Sequence, residues 1–267
     1  MRSMIRFLGL VVGFLLLSPV EAATCRDPAG FETWLAGFKS EAAANGISSS
    51  AIGALDGVAY DPGIVKKDHG QGVFRQSFEQ FAGRMVPPRL HKGQALMKQY
   101  AATFARIEQT YGVPAPVIVA IWGLETDFGA GSGNTPTLRA LATLAYDCRR
   151  SDMFQTELMD ALRLVQRGDL SPSARGAWAG ELGQTQFMPS SYLKFAVDFE
   201  GDGRRDLVHN VPDVLASTAN FLRSYGWQRG GAWTPGSANF AVIKEWNKAD
   251  VYARTIAYFA TMLAGGE

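Results

Sequence analysis

The chain has 267 residues, of which 47% are hydrophobic, 19% charged and 11% aromatic, and its formal net charge is +1. This composition excludes an intrinsically disordered or low-complexity protein, and a chain of this length buries enough surface to fold without metal ions or disulfides. The length is compatible with one large domain or two small ones.

The N-terminal segment 1–22 is predicted to be a cleaved secretory signal peptide. Arg2 and Arg6 precede and flank the start of an apolar run, and Ala22 is a small residue at the expected cleavage site. The run is shorter than the roughly 20 apolar residues that span a bilayer, although an uncleaved membrane anchor is the alternative. We therefore expect one mature domain over 23–267.

Export has consequences for charge and for the two cysteines. Loss of segment 1–22 leaves a mature chain with no net charge, which argues against a nucleic-acid partner attracted by charge. Cys25 and Cys148 both remain, and an even pair of cysteines in an exported protein predicts a disulfide; two unpaired buried thiols are the alternative. Thr24 precedes Cys25 where a lipoprotein signal would have Gly or Ala, so a lipid anchor is not expected.

Helical periodicity dominates the mature chain. Apolar residues three and four positions apart predict amphipathic helices, and Gly46, Gly112 and Gly226 are placed to terminate three of them. The apolar stripes lie at 31–38, 74–85, 97–111, 154–165, 215–225 and 251–263. Only 239–243 shows the alternation typical of a strand. The sequence therefore predicts a mainly α fold with short loops and little β structure.

The segment 116–126 is apolar on every face, which predicts a helix inside the protein. It carries Glu125 near its end, where burial would raise the pKa of the carboxyl group and prepare it to donate a proton near neutral pH. Glu125 is therefore the candidate catalytic acid, and a structural ion pair is the alternative. The glycines of 129–133 are expected to let the backbone pass close to a ligand, because the run follows a helix and lacks the residues of a phosphate-binding loop.

The segment 180–192 concentrates neutral hydrogen-bonding groups. Two glycines, two amides, three hydroxyls and a tyrosine fall within 13 positions, a set that suits a sugar or a peptide. A turn followed by a helix that starts at Pro189 explains the same pattern, and both descriptions can hold. Zinc and serine hydrolase motifs are absent from the sequence.

The segment 198–213 matches the front of an EF-hand calcium loop, with oxygen ligands at alternate positions and Gly203 at the sixth. The twelfth position is His209 instead of a glutamate, so Asp213 would supply the last carboxylate from a longer loop. A solvated acidic turn is the alternative. The candidate ligands are Asp198, Glu200, Asp202, Arg204, Asp206 and Asp213.

These motifs occur in the order typical of the lytic murein transglycosylase B family, which the chain resembles over about residues 27–265. The matching segments are Ile121-Trp-Gly-Leu-Glu-Thr-Asp-Phe-Gly129, Ala140-Leu-Ala-Thr-Leu144, Arg149-Arg150, Gly183-Gln-Thr-Gln-Phe-Met-Pro-Ser-Ser-Tyr192 and Asp198-Phe-Glu-Gly-Asp-Gly203. The resemblance implies a periplasmic enzyme with a lysozyme-like helical fold. It also implies that a calcium-binding, EF-hand-like loop lies within the catalytic domain.

The resemblance also implies roles for individual residues. It places the catalytic acid at Glu125, while Trp246 stands where some members have tyrosine and Ala177 replaces an expected polar residue. The substrate-binding residues that it implies are Arg149, Arg150, Gln184, Gln186, Trp246, Asn247 and Tyr252.

The implied reaction uses one carboxyl group, because Asp127, the near acidic neighbour of Glu125, faces another direction on a helix. Glu125 would cleave the MurNAc–GlcNAc bond of peptidoglycan and close a 1,6-anhydro ring. No cofactor is expected for catalysis, and Ca²⁺ would be structural. The expected state is a monomer acting on glycan strands, with other cell-wall enzymes as candidate partners. The alternatives are a lysozyme-type muramidase that uses water, a non-catalytic peptidoglycan-binding module and a calcium-regulated structural protein.

Overall fold

The computed structural model describes residues 27–70 and 76–266. The predicted signal peptide 1–22, Cys25 and Phe74 lie outside the described residues. Within those ranges the helices are a 3-10 turn (Pro28–Gly30), α1 (Phe31–Ala44), α2 (Ser49–Gly53), α3 (Pro62–His69), α4 (Phe78–Met85), α5 (Pro87–Gln99), α6 (Ala101–Tyr111), α7 (Ala115–Thr126), α8 (Thr137–Tyr146), α9 (Ser151–Arg167), α10 (Pro189–Phe195), α11 (Val211–Ser224), α12 (Ala238–Trp246) and α13 (Asp250–Leu263). Two short strands, β1 (Thr135–Pro136) and β2 (Arg175–Gly176), pair antiparallel.

The mainly α prediction is confirmed, but two of the expected elements differ. The stripe at 97–111 is divided between α5 and α6, which meet at Tyr100. The predicted strand at 239–243 is wrong, because these residues form α12. Ser237 caps that helix by accepting a hydrogen bond from the backbone N–H of Phe240 at 3.1 Å.

The apolar helix α7 lies at the centre of the fold, as its sequence predicts. Its residues Val117–Leu124 are all buried, and it packs against α5, α6, α11 and α13. A helix covered on every side gains its stability from this burial and keeps its axis fixed. Its last turn, which carries Glu125, is therefore held in place by four neighbouring helices.

A second group of helices, α8, α9 and α10, lies across from the end of α7. Helix α9 packs against α8 and α10, and the β1–β2 pair joins this group to the loop that follows β2. Leu182 and Phe187 in that loop exchange backbone hydrogen bonds of 2.8 and 2.9 Å. These bonds fix the loop that faces the end of α7.

The chain then returns through α11, α12 and α13 to the central helix. Helix α12 packs against α11 and α13, while α13 packs along α7. This return brings the C-terminal end of α12 beside the C-terminal end of α7. No helix in the described ranges is both long enough and apolar enough to cross a membrane.

Candidate active site

Glu125, in the last turn of α7, lines a cleft of about 460 Å³. The remaining walls come from the loop after β2 and from helices α10, α11 and α12. They include Trp178, Glu181, Gln186, Phe221, Trp246 and Asn247. Three residues predicted to bind substrate, Gln186, Trp246 and Asn247, are thus brought to the same cleft as the predicted acid.

The surroundings of Glu125 suit a proton donor near neutral pH. Burial, opposed in part by hydrogen bonds with Trp246 and Tyr252 and reinforced by the charge of Glu181, raises the pKa of Glu125 to about 7. No cationic side chain in the described ranges pairs with Glu125, which argues against a structural ion pair. A carboxyl group with this pKa can both give and take a proton at physiological pH.

Two aromatic residues hold the Glu125 carboxyl group. The indole Nε1–H of Trp246 donates a hydrogen bond to Glu125 Oε1 at 2.9 Å, and the ring packs edge-on against Phe187 and Phe221. Tyr252, only 7% exposed, also forms a hydrogen bond with Glu125 but does not line the cleft. Burial raises the pKa of Tyr252 well above its ordinary value, so its hydroxyl group stays protonated.

Sequence reasoning missed a second carboxyl group in the cleft, Glu181. Asp127 is exposed and lies 3.6 Å from Arg89, so it faces away as expected. Glu181 instead lines the cleft together with Glu125, and burial raises its pKa. The available signal was an acidic residue between Gly180 and Gly183 in the polar segment, but the chain positions alone do not show that it meets Glu125.

The predicted arginine pair lies in an adjoining cavity of about 530 Å³. This cavity shares Trp178, Glu181, Met188 and Asn247 with the cleft of Glu125, so the two spaces are neighbours. Arg149 and Arg150 both bond to Asp68, a residue only 1% exposed, and despite its burial they hold its pKa below the ordinary value. Part of their charge is therefore already compensated within the protein.

The two predicted glutamines have different surroundings. Gln184 is buried away from both cavities, where its Oε1 accepts a hydrogen bond from Trp122 Nε1 at 2.9 Å and its Nε2 donates to the Val208 carbonyl at 3.0 Å. Gln186 lines the cleft with a left-handed φ of 57°. Its Nε2 donates to the Gly183 carbonyl at 2.8 Å, which fixes the side chain.

The expected role of the glycine-rich stretch needs correction at Gly129. A Cβ atom there would lie 2.5 Å from Gln184 Oε1, and the residue has a φ of 82°. Gly133 similarly approaches the backbone of Gly176. These glycines give room to the protein's own chain, where the sequence had suggested a ligand.

The acidic segment 198–213 wraps around a buried carboxyl group. Asp213, which has no exposed surface, accepts hydrogen bonds from the backbone N–H groups of Phe199 and Asp206 at 2.8 and 3.0 Å. Burial and the charges of Asp198 and Asp202 raise the pKa of Asp213. Asp198 is itself compensated in part, because its carboxylate accepts hydrogen bonds from the backbone N–H groups of Gly201, Asp202 and Gly203, which against desolvation hold its pKa below the ordinary value. The carboxylate oxygens of Asp198, Asp202 and Asp213 are of the type that a divalent cation takes as ligands.

Further carboxylates of this segment, including that of Asp202, also have partners within it. Asp206 Oδ1 accepts from the backbone N–H groups of Val208 and His209, and Glu200 Oε2 lies 3.4 Å from Asn210 Nδ2. The backbone N–H of Arg204 donates to Asp202 Oδ1 at 2.9 Å.

Comparisons with known proteins agree with this arrangement. Residues 30–238 match the family described as the transglycosylase SLT domain. Over 148 residues the chain is 40% identical to membrane-bound lytic murein transglycosylase B of Escherichia coli, a region that covers 55% of this chain and 41% of that relative. The chain thus spans less than half the length of this curated relative.

Two solved structures share the fold. Pseudomonas aeruginosa SltB3 in complex with NAG-anhNAM-pentapeptide superposes with a TM-score of 0.84 at 31% identity, covering 88% of this chain and 80% of that chain. Escherichia coli Slt35 in complex with calcium superposes with a TM-score of 0.77 at 25% identity, covering 86% of this chain and 92% of that chain. The lysozyme-like helical fold is therefore confirmed. Because the family match covers most of its length, this chain belongs to the transglycosylase SLT domain family, as the sequence resemblance predicts.

Proposed function

We propose that this protein is a lytic transglycosylase that cleaves the bond between MurNAc and GlcNAc in peptidoglycan and leaves 1,6-anhydroMurNAc ends. The observation that carries the proposal is Glu125, held in a cleft with a pKa of about 7. Family membership supports it, as does the ligand of the similar SltB3 structure, a fragment that contains an anhydro-NAM unit.

The proposed reaction uses the Glu125 carboxyl group twice. The protonated carboxyl gives its proton to the oxygen that links the two sugars, and the acetamido group of the substrate stabilises the positive carbon. The Glu125 carboxylate then takes the proton of the MurNAc 6-hydroxyl, whose oxygen attacks that carbon and closes the ring. An intramolecular nucleophile has a high effective molarity, so it competes well with water.

The neighbouring residues have distinct proposed roles. Trp246 and Tyr252 hold the carboxyl group of Glu125, while Gln186 and Asn247 contact the sugars from the cleft walls. Arg149 and Arg150 bind substrate groups in the adjoining cavity. For Gln184 we propose a structural role, because both ends of its amide are bonded inside the protein.

Replacement of Glu125 by glutamine tests the function. Glu125→Gln keeps the shape of the side chain but removes the transferable proton, so release of anhydro-ended fragments from purified sacculi should fall by about 10²–10⁴-fold. Mass spectrometry of the digest measures this release and distinguishes anhydro ends from the reducing ends that a muramidase would leave. Asp127→Asn, the same chemical change at an exposed neighbour, is the matched control and should retain activity. Undiminished turnover in Glu125→Gln would contradict the assignment.

We further propose that the protein is exported to the periplasm after cleavage behind Ala22 and acts there as a monomer on glycan strands. Cys25 would then form a disulfide with Cys148, for which the signal peptide and the even cysteine count are the support. Non-reducing peptide mapping of periplasmic material should yield one cross-linked pair of peptides. Recovery of both thiols in alkylated form would contradict the disulfide.

The segment 198–213 is proposed to bind one structural Ca²⁺. The charge around Asp213 and the calcium in the similar Slt35 structure support this proposal. None of the candidate ligands lines the cleft of Glu125, so the ion would stabilise the fold without taking part in bond cleavage.

A further inference from the structure

Two buried polar atoms without hydrogen-bond partners belong to residues that line the same cavity. They are Arg150 Nε and Glu181 Oε2, and the cavity of about 530 Å³ adjoins the cleft of Glu125. One is a donor and the other an acceptor. Because a buried polar atom that stays unpaired costs free energy, such a pair beside an open cavity indicates a ligand group that supplies the missing partners.

Arg150 and Glu181 do not satisfy each other. Among the described residues the ion-pair partner of Arg150 is Asp68, and its guanidinium group also lies over the Phe154 ring at 4.8 Å. The charge of Arg150 is nevertheless close enough to oppose the effect of burial on the pKa of Glu181. The two groups are therefore neighbours on the wall of the same cavity.

The backbone that carries Glu181 is rigidly placed. The carbonyl oxygen of Glu181 accepts a hydrogen bond from Ala177 N–H at 2.9 Å, and the chain at Gly176 passes so close that a Cβ atom would lie 2.0 Å from that oxygen. The Glu181 carboxyl group is also held, because it accepts hydrogen bonds from the backbone N–H groups of Ala179 and Glu181, while its Oε2 is left without a partner. A carboxyl group fixed in this way keeps its unpaired oxygen in one place, where a ligand group can bond to it.

The chemistry of the pair selects the ligand group. A secondary amide has an N–H that Glu181 can accept and a carbonyl oxygen to which Arg150 can donate. A free carboxylate fits less well, because Glu181 repels it and Asp68 already compensates the arginines. We propose that Glu181 and Arg150 form a secondary-amide subsite beside the catalytic cleft, with Glu181 as a specificity-determining residue.

This subsite rests on the proposed function, since it names the substrate group that the adjoining cavity takes. Peptidoglycan supplies secondary amides from two sources, the acetamido group of a sugar and the amide bonds of the stem peptide. Both offer the same donor and acceptor. The experiment must therefore separate them.

The test measures binding of two product fragments by calorimetry, GlcNAc-anhydroMurNAc with and without its pentapeptide. Neither fragment requires turnover, so the result does not depend on catalysis. Glu181→Ala removes the acceptor and should weaken binding about tenfold, the effect expected for a hydrogen bond to a charged group. Glu181→Gln keeps a carbonyl oxygen and should lose less affinity. Glu108→Ala, at an exposed glutamate on α6, is the matched control and should bind as the wild type does.

The pattern of loss identifies the source of the amide. A loss with both fragments assigns the subsite to an acetamido group, and a loss only with the pentapeptide fragment assigns it to the stem peptide. Wild-type affinity of Glu181→Ala for both fragments would overturn the proposal. Thermal melting of each variant controls for folding, because Glu181→Ala also removes the oxygen that accepts the Ala179 and Glu181 backbone N–H groups, whereas Glu181→Gln keeps an oxygen for them. If the wild type binds neither fragment, the proposed subsite is wrong. The digestion of sacculi by Glu125→Gln tests the catalytic function separately.

Discussion

At the scale of single residues, the pKa of Glu125 is set by opposing neighbours. Burial and the charge of Glu181 favour the protonated form, while Trp246 and Tyr252 favour the carboxylate by hydrogen bonding. The indole N–H is a donor only, so its hydrogen bond stabilises the carboxylate form of Glu125. Trp246 therefore lowers the pKa of Glu125 in addition to lining the cleft.

This balance predicts the pH dependence of catalysis. In the proposed reaction the protonated form of Glu125 acts first, so kcat/KM should fall about tenfold per pH unit above a pH of about 7. Trp246→Phe removes a hydrogen bond that lowers the pKa of Glu125. The pKa of Glu125 should therefore rise, and the fall of kcat/KM should begin at a higher pH. Measurement of kcat/KM against pH on a soluble glycan substrate tests the shift.

A second tryptophan of the cleft provides the control for this prediction. Trp178 lines the same space, and its substitution by phenylalanine should leave the pH at which kcat/KM falls unchanged. If kcat/KM of Trp246→Phe falls at the same pH as in the wild type, or at a lower pH, the indole does not stabilise the Glu125 carboxylate.

At the scale of elements, the end of α7 combines an unusual backbone with close packing. Asp127, Phe128 and Gly129 have successive φ values of 55°, 61° and 82°. Residues other than glycine rarely adopt this left-handed backbone conformation, and they do so only where the surrounding structure stabilises it. Phe128 supplies that stabilisation, because its ring packs edge-on against Trp122 at 5.5 Å and lies directly over Gly123.

Two glycines of the following loop make a matched pair for testing this packing. Gly129→Ala introduces a Cβ atom 2.5 Å from Gln184 Oε1 at a strained φ, so it should lower the free energy of unfolding by about 2 kcal/mol or more. It should also reduce activity, because Gln184 is bonded to Trp122 beside the catalytic turn. Urea unfolding and sacculus digestion measure the two effects.

Gly131→Ala is the control in the same loop. Its nearest neighbour, the Thr126 carbonyl oxygen, would lie 3.6 Å from the new Cβ atom, and its φ is outside the left-handed region. Equal destabilisation by both substitutions would show that the loop tolerates no side chain anywhere, contrary to the specific contact proposed for Gly129.

The helices could be predicted because the residues on the buried face of a helix recur every three to four positions in the sequence. The central position of α7 also follows from its apolar residues. The strand expected at 239–243 failed because five alternating residues do not distinguish a strand from one and a half helical turns. Asn239 misled this interpretation, since its buried amide bonds to the Gln228 and Gly231 carbonyls instead of facing water.

At the scale of the whole molecule, calcium binding should appear as added stability. An ion that binds only the folded chain at 100 times its dissociation constant adds about 2.7 kcal/mol, which corresponds to roughly 5–10 °C in Tm for a chain of this size. Calorimetric melting in millimolar Ca²⁺ should show this increase, and Asp202→Ala should abolish it. An unchanged Tm would leave the segment as a solvated acidic turn, and an equal increase with Mg²⁺ would contradict a site that prefers Ca²⁺.

The candidate site shows where sequence reasoning ends. Family motifs located Glu125, Gln186, Trp246 and Asn247, because their order along the chain is itself informative. They did not indicate Glu181, since only folding brings the loop after β2 to the end of α7. The pairing of Asp68 with both arginines was missed for the same reason, because 81 and 82 positions separate the partners.

The hydrogen bond between Trp246 and Glu125 joins residues 121 positions apart. Before the chain has closed this distance, Glu125 is solvated, has the ordinary pKa of a glutamate near 4.5 and is almost fully ionised at neutral pH. On the proposed function, an incompletely folded chain therefore carries Glu125 but lacks the protonated carboxyl group that the reaction needs. The proposed activity would in this way depend on docking of α12, the helix that carries Trp246, against the end of α7.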